Sequence, residues 1–250
     1  PAGKFGSGFL EMHMLQVAHF FARRHPGRAR LALWVRQNLL ASQEHDGYWW
    51  PLAPFFLTRC GELPEPAGPD ETWPLARDFQ NMGVVFMHSG WDPSDTHCAF
   101  VAGGKISSHG HYDRGHFVIY TKGFLALDTG DYGPRARNDH LAEYFYRTVA
   151  HNCILIHAPA EADRPAKVWG GLADTLDGGQ YALEARGIAF ETNEAYSYVA
   201  TDATECYFPA KCSEAVRQFV FVPPDHFVIC DRVTATKPEY RKAWLLHSAA

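Results

Sequence analysis

Residues 109–132 read HGHYDRGHFVIYTKGFLALDTGDY, two short apolar runs at 116–120 and 124–128 around Thr121, Lys122 and Gly123. β-branched and aromatic residues fill the runs and a glycine closes the turn, so the stretch predicts a β-hairpin. Similar runs recur at 83–88, 97–102, 153–157, 181–185, 195–200, 216–222, 226–230 and 242–246, several of them bounded by turn residues such as Pro223, Pro224 and Asp225. Many short strands with almost no helix between them predict an antiparallel sandwich or barrel.

Upstream the pattern is helical. Phe9, Met12, Val17, Phe20 and Phe21 follow helical spacing, with Ser7 as the N-cap and Pro26 beyond the end. Leu31, Trp34, Val35 and Leu39 make one stripe of a second helix over about 28–40. Residues 61–74, GELPEPAGPDETWP, hold four prolines, four acidic residues and two glycines, a composition that blocks helix and interior strand alike. The expected organisation is an α+β chain with a helical segment over 1–58, a linker over 59–80 and a large antiparallel β-sandwich over 81–250.

The chain is 46% hydrophobic and has no apolar run near the roughly 20 residues of a membrane-spanning helix, which excludes a disordered tail and a helical membrane span. A net charge of −5, with Lys and Arg scattered, leaves no footprint for nucleic acid. The six cysteines form no C-x-x-C pair, against a zinc ribbon; Cys206 and Cys212 suit either a cross-linked hairpin or buried thiols. Before the first helix there is no charged-then-apolar leader, so localisation is not read directly from the residues.

The chemistry concentrates around the hairpin. Of the 14 histidines, His109, His111, His116, His140 and His151 lie in one stretch. Imidazole and carboxylate are ligands that a divalent metal such as zinc accepts, and a site of His111, Asp128 and His151 leaves one tetrahedral position for water. Any one of these histidines suits a hydrogen-bonded structural role as well. Glycines at 103, 104, 110 and 115 place the H-x-H pair on a loop entering the strand. A hairpin centred on residues 121–123 sets His116 opposite Asp128. For His111 to meet Asp128, the HGHYDRG segment must leave the ladder or a bulge must shift the register; otherwise His116 is the better partner. Asp113 suits either orienting a histidine or capping the turn at Gly115. Tyr112 alternates away from both histidines of H-x-H if that segment is extended. Tyr48, beside Trp49 and Trp50, is a sugar-stacking candidate or part of a packed aromatic cluster. Arg147 and Asn152 flank the third ligand and are substrate-binding candidates, although Arg147 also suits an i, i+4 pair with Glu143.

From residue 81 onward the sequence resembles the β-sandwich part of the heparinase II/III-like polysaccharide lyases. The resemblance rests on four blocks in family order: HGHYD at 109–113, FLALDTGDY at 124–132, YRTVAHN at 146–152, and RQFVFVPPDHFVICDRV at 217–233 ahead of KAWLLH at 242–247. It implies that the two helices are the end of an N-terminal α/α toroid, that the sandwich continues past this chain, and that the protein is periplasmic or secreted. The implied activity is β-elimination of 4-linked uronic-acid glycans such as heparin, heparan sulfate or alginate. His109 would face the substrate, a structural zinc would sit on His111, Asp128 and His151, and a catalytic tyrosine would come from the toroid upstream. His88 stands where many relatives carry an arginine, which makes it a further substrate-binding candidate. Two other readings compete: a non-catalytic carbohydrate-binding sandwich with a structural zinc, and a cupin-type metal barrel. The glycine and histidine spacing of Gly103, His109, His111, His116 and Gly123 suits the cupin, but His116 stands at its carboxylate position and no second cupin motif follows.

Overall fold

The computed structural model describes residues 7–40, 62–70, 72–92, 94–104, 110–130, 140, 144–159, 166–168, 171–173 and 178–249. The chain divides into two compact units, Pro1–Trp73 and Pro74–Ala250.

In the first unit, α1 (Ser7–Phe21) and α2 (Pro26–Val35) form a hairpin. Phe21 O accepts the amides of Arg24 and His25 at 3.1 and 2.8 Å, and Pro26, with its preset φ and no N–H to satisfy, opens the second helix. Ala18, Ala29, Ala32 and Leu33 are buried at the contact, with Met14, Leu15, Val17 and Phe21 around them. The stripe expected to run on to residue 40 continues past Val35 as a π-helical turn, Arg36–Leu40, in which the Asn38 amide donates to Trp34 O at 2.9 Å. The proline-rich segment is fastened to α2. Leu63 joins the helical core, Ala67 N–H donates to Arg30 O at 3.2 Å, and Arg30 Nε donates to Glu65 O at 3.1 Å. Among the described residues these helices do not make up a toroid, and no helix is long and apolar enough to cross a membrane.

The second unit is built of antiparallel sheets. β1 (Ala76–Phe79), β2 (Val84–His88), β3 (His97–Val101), β4 (Phe117–Tyr120) and β5 (Phe124–Ala126) form a five-stranded meander in chain order. β9 (Arg186–Thr192), β10 (Ser197–Asp202), β11 (Cys212–Val222) and β12 (His226–Ala235) form a four-stranded sheet, again between chain neighbours. β6 (Ile154–His157) pairs with β13 (Arg241–Trp244), and β7 (Ala166–Val168) with β8 (Gly171–Ala173). Period-two alternation turns Val85, Met87, Cys98, Phe100, Phe117 and Ile119 inward from the first sheet to meet Val199, Phe219 and Phe221 of the second. The Phe219 ring lies 5.3 Å from Phe100 and 5.4 Å from Phe117, centroid to centroid. Each such buried ring contributes about 1.5–3 kcal/mol relative to exposure, which makes this face-to-face contact the main core.

Two local expectations are corrected and one open alternative is resolved. β1 occupies residues read as linker, because Ala76-Arg77-Asp78-Phe79 has no strand composition of its own and is recruited by pairing with β2. No strand forms at 181–185. There the Tyr181 amide donates to Cys206 O at 2.8 Å and its ring stacks on Phe208, while the strand falls one segment later at β9, an edge with little apolar alternation. Cys206 and Cys212 are both buried free thiols, so the hairpin is not cross-linked.

Candidate metal centre

The hairpin that opened the reading positions the site. Tyr120 pairs with Phe124, but Ile119 pairs with Ala126, so a bulge displaces everything beyond by one residue. Residues 110–116 also leave the ladder. Gly115 adopts φ +86°, a left-handed conformation that suits glycine, and His116 N–H returns to Asp113 O at 2.9 Å. Both conditions under which His111 meets Asp128 are therefore present.

Three connections carry the ligands. On the first, Tyr112 N–H donates to Tyr146 O at 2.9 Å, and Thr148 Oγ1 donates to Tyr112 O at 2.8 Å. The His111 ring lies edge-on against Phe145 and Tyr146, 4.6 Å from each. The buried Gln180 side chain clamps Arg114 as a strand would, accepting its N–H at 2.9 Å and donating to its carbonyl at 2.8 Å. On the second connection, Asp128 follows β5 between two anchors: Leu127 N–H bonds His247 O at 3.0 Å, and Thr129 Oγ1 donates to Ala150 O at 2.6 Å. On the third, His151 ends a 3₁₀ turn, Thr148–Ala150.

The side chains converge. His111, Asp128 and His151 each offer a ligand atom, all within 4.8 Å of one another. His151 Nδ1 lies 2.6 Å from Asp128 Oδ1, and its ring is 5.2 Å from that of His111. His151 is fully buried, yet its Nε2 has no hydrogen-bond partner among the described residues. An orphaned buried nitrogen costs about 1–3 kcal/mol, and an ion would remove that cost. Tetrahedral ligands at about 2.0–2.2 Å lie about 3.3 Å apart, so two imidazoles and a carboxylate at this spacing fit a zinc-like cation.

The electrostatics suit the same role. Burial, then the neighbouring His151, pushes the His111 pKa down to about 4, with Asp128 opposing. Burial also drives His116 down to about 3. For Asp128 burial acts upward, but the His151 hydrogen bond and the surrounding imidazoles outweigh it and hold the carboxyl below its usual range. Near neutrality His111 is thus neutral and Asp128 is an anion, the protonation states a cation requires of its ligands, and the neighbouring His116 is neutral as well.

Beneath the ligands stands a residue that the sequence reading missed. Arg217 Nη1 donates to Gly115 O at 2.7 Å and Asn152 O at 2.6 Å, joining the first and third connections, while Nε and Nη2 hold Asp231 at 2.7 and 2.9 Å. The signal was available. Counting back from the turn at 223–225 sets Arg217 opposite Asp231, opposite charges facing each other inside an apolar hairpin.

The other candidates scatter. His109 and Tyr48 lie outside the described residues, as does Glu143. His88 contacts His97 Nδ1 at 2.6 Å and stacks on Trp91. Arg147 is buried beside the 3₁₀ turn. Asn152 does not reach substrate from its position. It is fully buried, its amide donates to Phe117 O and Leu127 O at 2.8 and 3.2 Å, and its Oδ1 accepts His247 N–H at 2.6 Å. Among the described residues the Asp113 carboxylate pairs with Arg114, at 2.7 Å, and not with a histidine.

An antiparallel sandwich that gathers His, Asp and His at one hairpin defines a β-domain with a candidate cation site. The chain belongs to the heparinase II/III-like family, whose C-terminal domain model matches residues 74–250. Its fold is similar to that of the heparan sulfate lyase HepC from Pedobacter heparinus, with a TM-score of 0.57 and 14% identity over 92% of this chain and 28% of that one. A heparinase III is similar at TM-score 0.53 and 19% identity, over 76% of this chain and 26% of that one. This chain therefore spans under a third of the length of either. No curated protein sequence matches it.

Proposed function

We propose that the protein is a polysaccharide lyase that cleaves 4-linked uronic-acid glycans, with heparan sulfate or heparin as the first substrates to test and alginate next. The observation that carries the reading is the convergence of Asp128 and His151 on His111, two residues after His109 in the sequence. The similar HepC is a heparan sulfate lyase and the second similar structure is a heparinase III, and residues 74–250 belong to the heparinase II/III-like family. In this reading a zinc ion held by His111, Asp128 and His151 braces the connections that carry His109. His109 faces the reacting sugar, with Tyr48 and Arg147 the further candidates for contact with it. Elimination removes the proton alpha to the uronate carboxylate; its electron pair forms the C4–C5 double bond and the C4–O bond breaks. The expelled oxygen takes a proton from an acid, which we assign to a tyrosine of the helical part of the complete protein. A periplasmic or secreted location follows from an extracellular glycan substrate.

The test is incubation of the intact protein with heparin, heparan sulfate, alginate and hyaluronan while following the ultraviolet absorbance of the unsaturated uronate. A rise that His109→Ala abolishes supports the reading. Release of sugar without the chromophore makes the protein a hydrolase, and glycan binding without any cleavage makes it a carbohydrate-binding sandwich.

A further inference from the structure

We propose that His116 is a positioning residue for the cation site: its Nε2–H holds the Asp128 carboxylate, and it is not a fourth ligand. The inference rests on the cation reading above and deepens it. Asn152 N–H donates to His116 Nδ1 at 2.9 Å, so that nitrogen presents its lone pair and the ring proton sits on Nε2. A metal ligand needs a free lone pair, and His116 has none left to offer. Its Nε2 has no hydrogen-bond partner among the described residues and lies 3.9 Å from Asp128 Oδ1. The side chain is 4% exposed, so solvent does not serve that N–H.

The geometry names the acceptor. A 3.9 Å separation is about 1 Å longer than a made hydrogen bond, and His151 Nδ1 holds the same Asp128 oxygen at 2.6 Å. A cation drawn to Asp128 and His151 competes with that Nδ1–Oδ1 hydrogen bond, and as the bond gives way Oδ1 is free for His116. Asp128 is 44% exposed, so its carboxylate can swing toward solvent unless a donor holds it from the buried side. His116 is that donor, and it is fixed at both ends: Phe117 begins β4, and the Asn152 that anchors Nδ1 also grips Phe117 O and Leu127 O. A residue that orients a ligand in this way typically changes metal affinity 10- to 100-fold.

The experiment measures zinc affinity of the intact protein by competition with a chelating dye, alongside zinc X-ray absorption. His116→Asn keeps an acceptor for the Asn152 amide but loses the donor toward Asp128, whereas His116→Gln keeps a donor at the Nε2 position. We expect His116→Asn to bind zinc about 10- to 100-fold more weakly, with His116→Gln within about threefold of wild type and two imidazoles at zinc in the wild-type protein. In an Asp128→Asn background His116→Asn adds no further loss, because the two act as one pair. Unchanged affinity in a folded His116→Asn, additive losses, or a third imidazole that disappears with His116 overturns the inference. If His116→Asn does not fold, His116→Gln and the imidazole count decide, and a tenfold loss in His116→Gln overturns it. A wild-type protein that binds no zinc at micromolar concentration overturns the cation reading and this inference with it; wild-type binding with unaffected His116 variants overturns the inference alone.

Discussion

Replacing Arg217 with Met tests whether one buried cation holds the site together. Arg217 is 5% exposed, and its partner Asp231 has a side chain only 14% exposed. The substitution loses the guanidinium contacts with the Phe117 and Trp244 rings and removes four hydrogen bonds: two to Asp231, one to Gly115 O and one to Asn152 O. The leading consequence is a carboxylate stranded in the core, and breaking a buried pair from one side costs about 3–5 kcal/mol. Trp244 Nε1 still donates to Asp231 Oδ2 at 2.8 Å, which keeps the effect within that range even with two carbonyls left open. Because a unit of this size shifts by about 2–4 °C per kcal/mol, the melting temperature should fall by about 6–20 °C. The Arg217→Met/Asp231→Leu double variant removes the stranded charge as well and should recover at least about 2 kcal/mol of that loss. Urea unfolding followed by tryptophan fluorescence measures both. A single variant within about 1 kcal/mol of wild type, or a double variant no more stable than the single, would refute the assignment of Arg217 as the charge-paired post beneath the site.

Chelation of zinc should lower the melting temperature by about 8–16 °C relative to protein held at a thousand times its dissociation constant, since such binding adds about 4 kcal/mol; in His111→Ala, which lacks one of the three donors, the chelator should change nothing. Stability should fall with acid before the carboxylates titrate. His111 and His116 have folded pKa values depressed to about 4 and about 3, so below about pH 6.5 the unfolded chain binds protons that the folded one refuses. Each group then removes about 1.4 kcal/mol per pH unit until its folded pKa is reached; unfolding free energies measured from pH 7 to 5 should show that slope, and a flat profile contradicts it. Gln180→Ala strips the buried Arg114 backbone of two partners and should cost about 2–5 kcal/mol, measured by urea unfolding, with a loss under about 1 kcal/mol counting against the clamp.

The convergence of His111, Asp128 and His151 was legible in the residues, and the reason is chemical. Imidazole, carboxylate and imidazole in a glycine-bounded stretch are a donor set, and the turn at 121–123 allowed the register to be counted. The counting stopped one residue short, because the bulge at Ile119/Tyr120 is a tertiary accommodation with no local composition to announce it. Strands with inward alternation, such as β2, β3 and β11, declared themselves; β1 and β9 are edges whose pairing partners make them strands, and their composition is close to that of loops. Asn152 misled for a different cause. A polar residue beside a ligand reads as substrate-facing, but three short hydrogen bonds made by its side chain turn it inward.

The depressed pKa values also divide the labour among the histidines. A general base works best with a pKa near the working pH, and a group whose pKa lies near 3 or 4 is a weak base at neutrality. Burial has placed His111 and His116 in that range, which suits a neutral ligand and a neutral hydrogen-bond donor and disqualifies both from abstracting the proton of a uronate. In the lyase reading that task falls to a histidine outside the cluster, and His109 is the candidate, two residues upstream of His111 on the same connection. The H-x-H spacing then has a physical meaning in that reading: one imidazole is surrendered to the cation and the other is left for the proton transfer. The pH–rate profile checks this, since an acid-side limb with an apparent pKa near 6.5 that vanishes in His109→Gln supports the division, and a limb near 4 would return the base to the buried cluster.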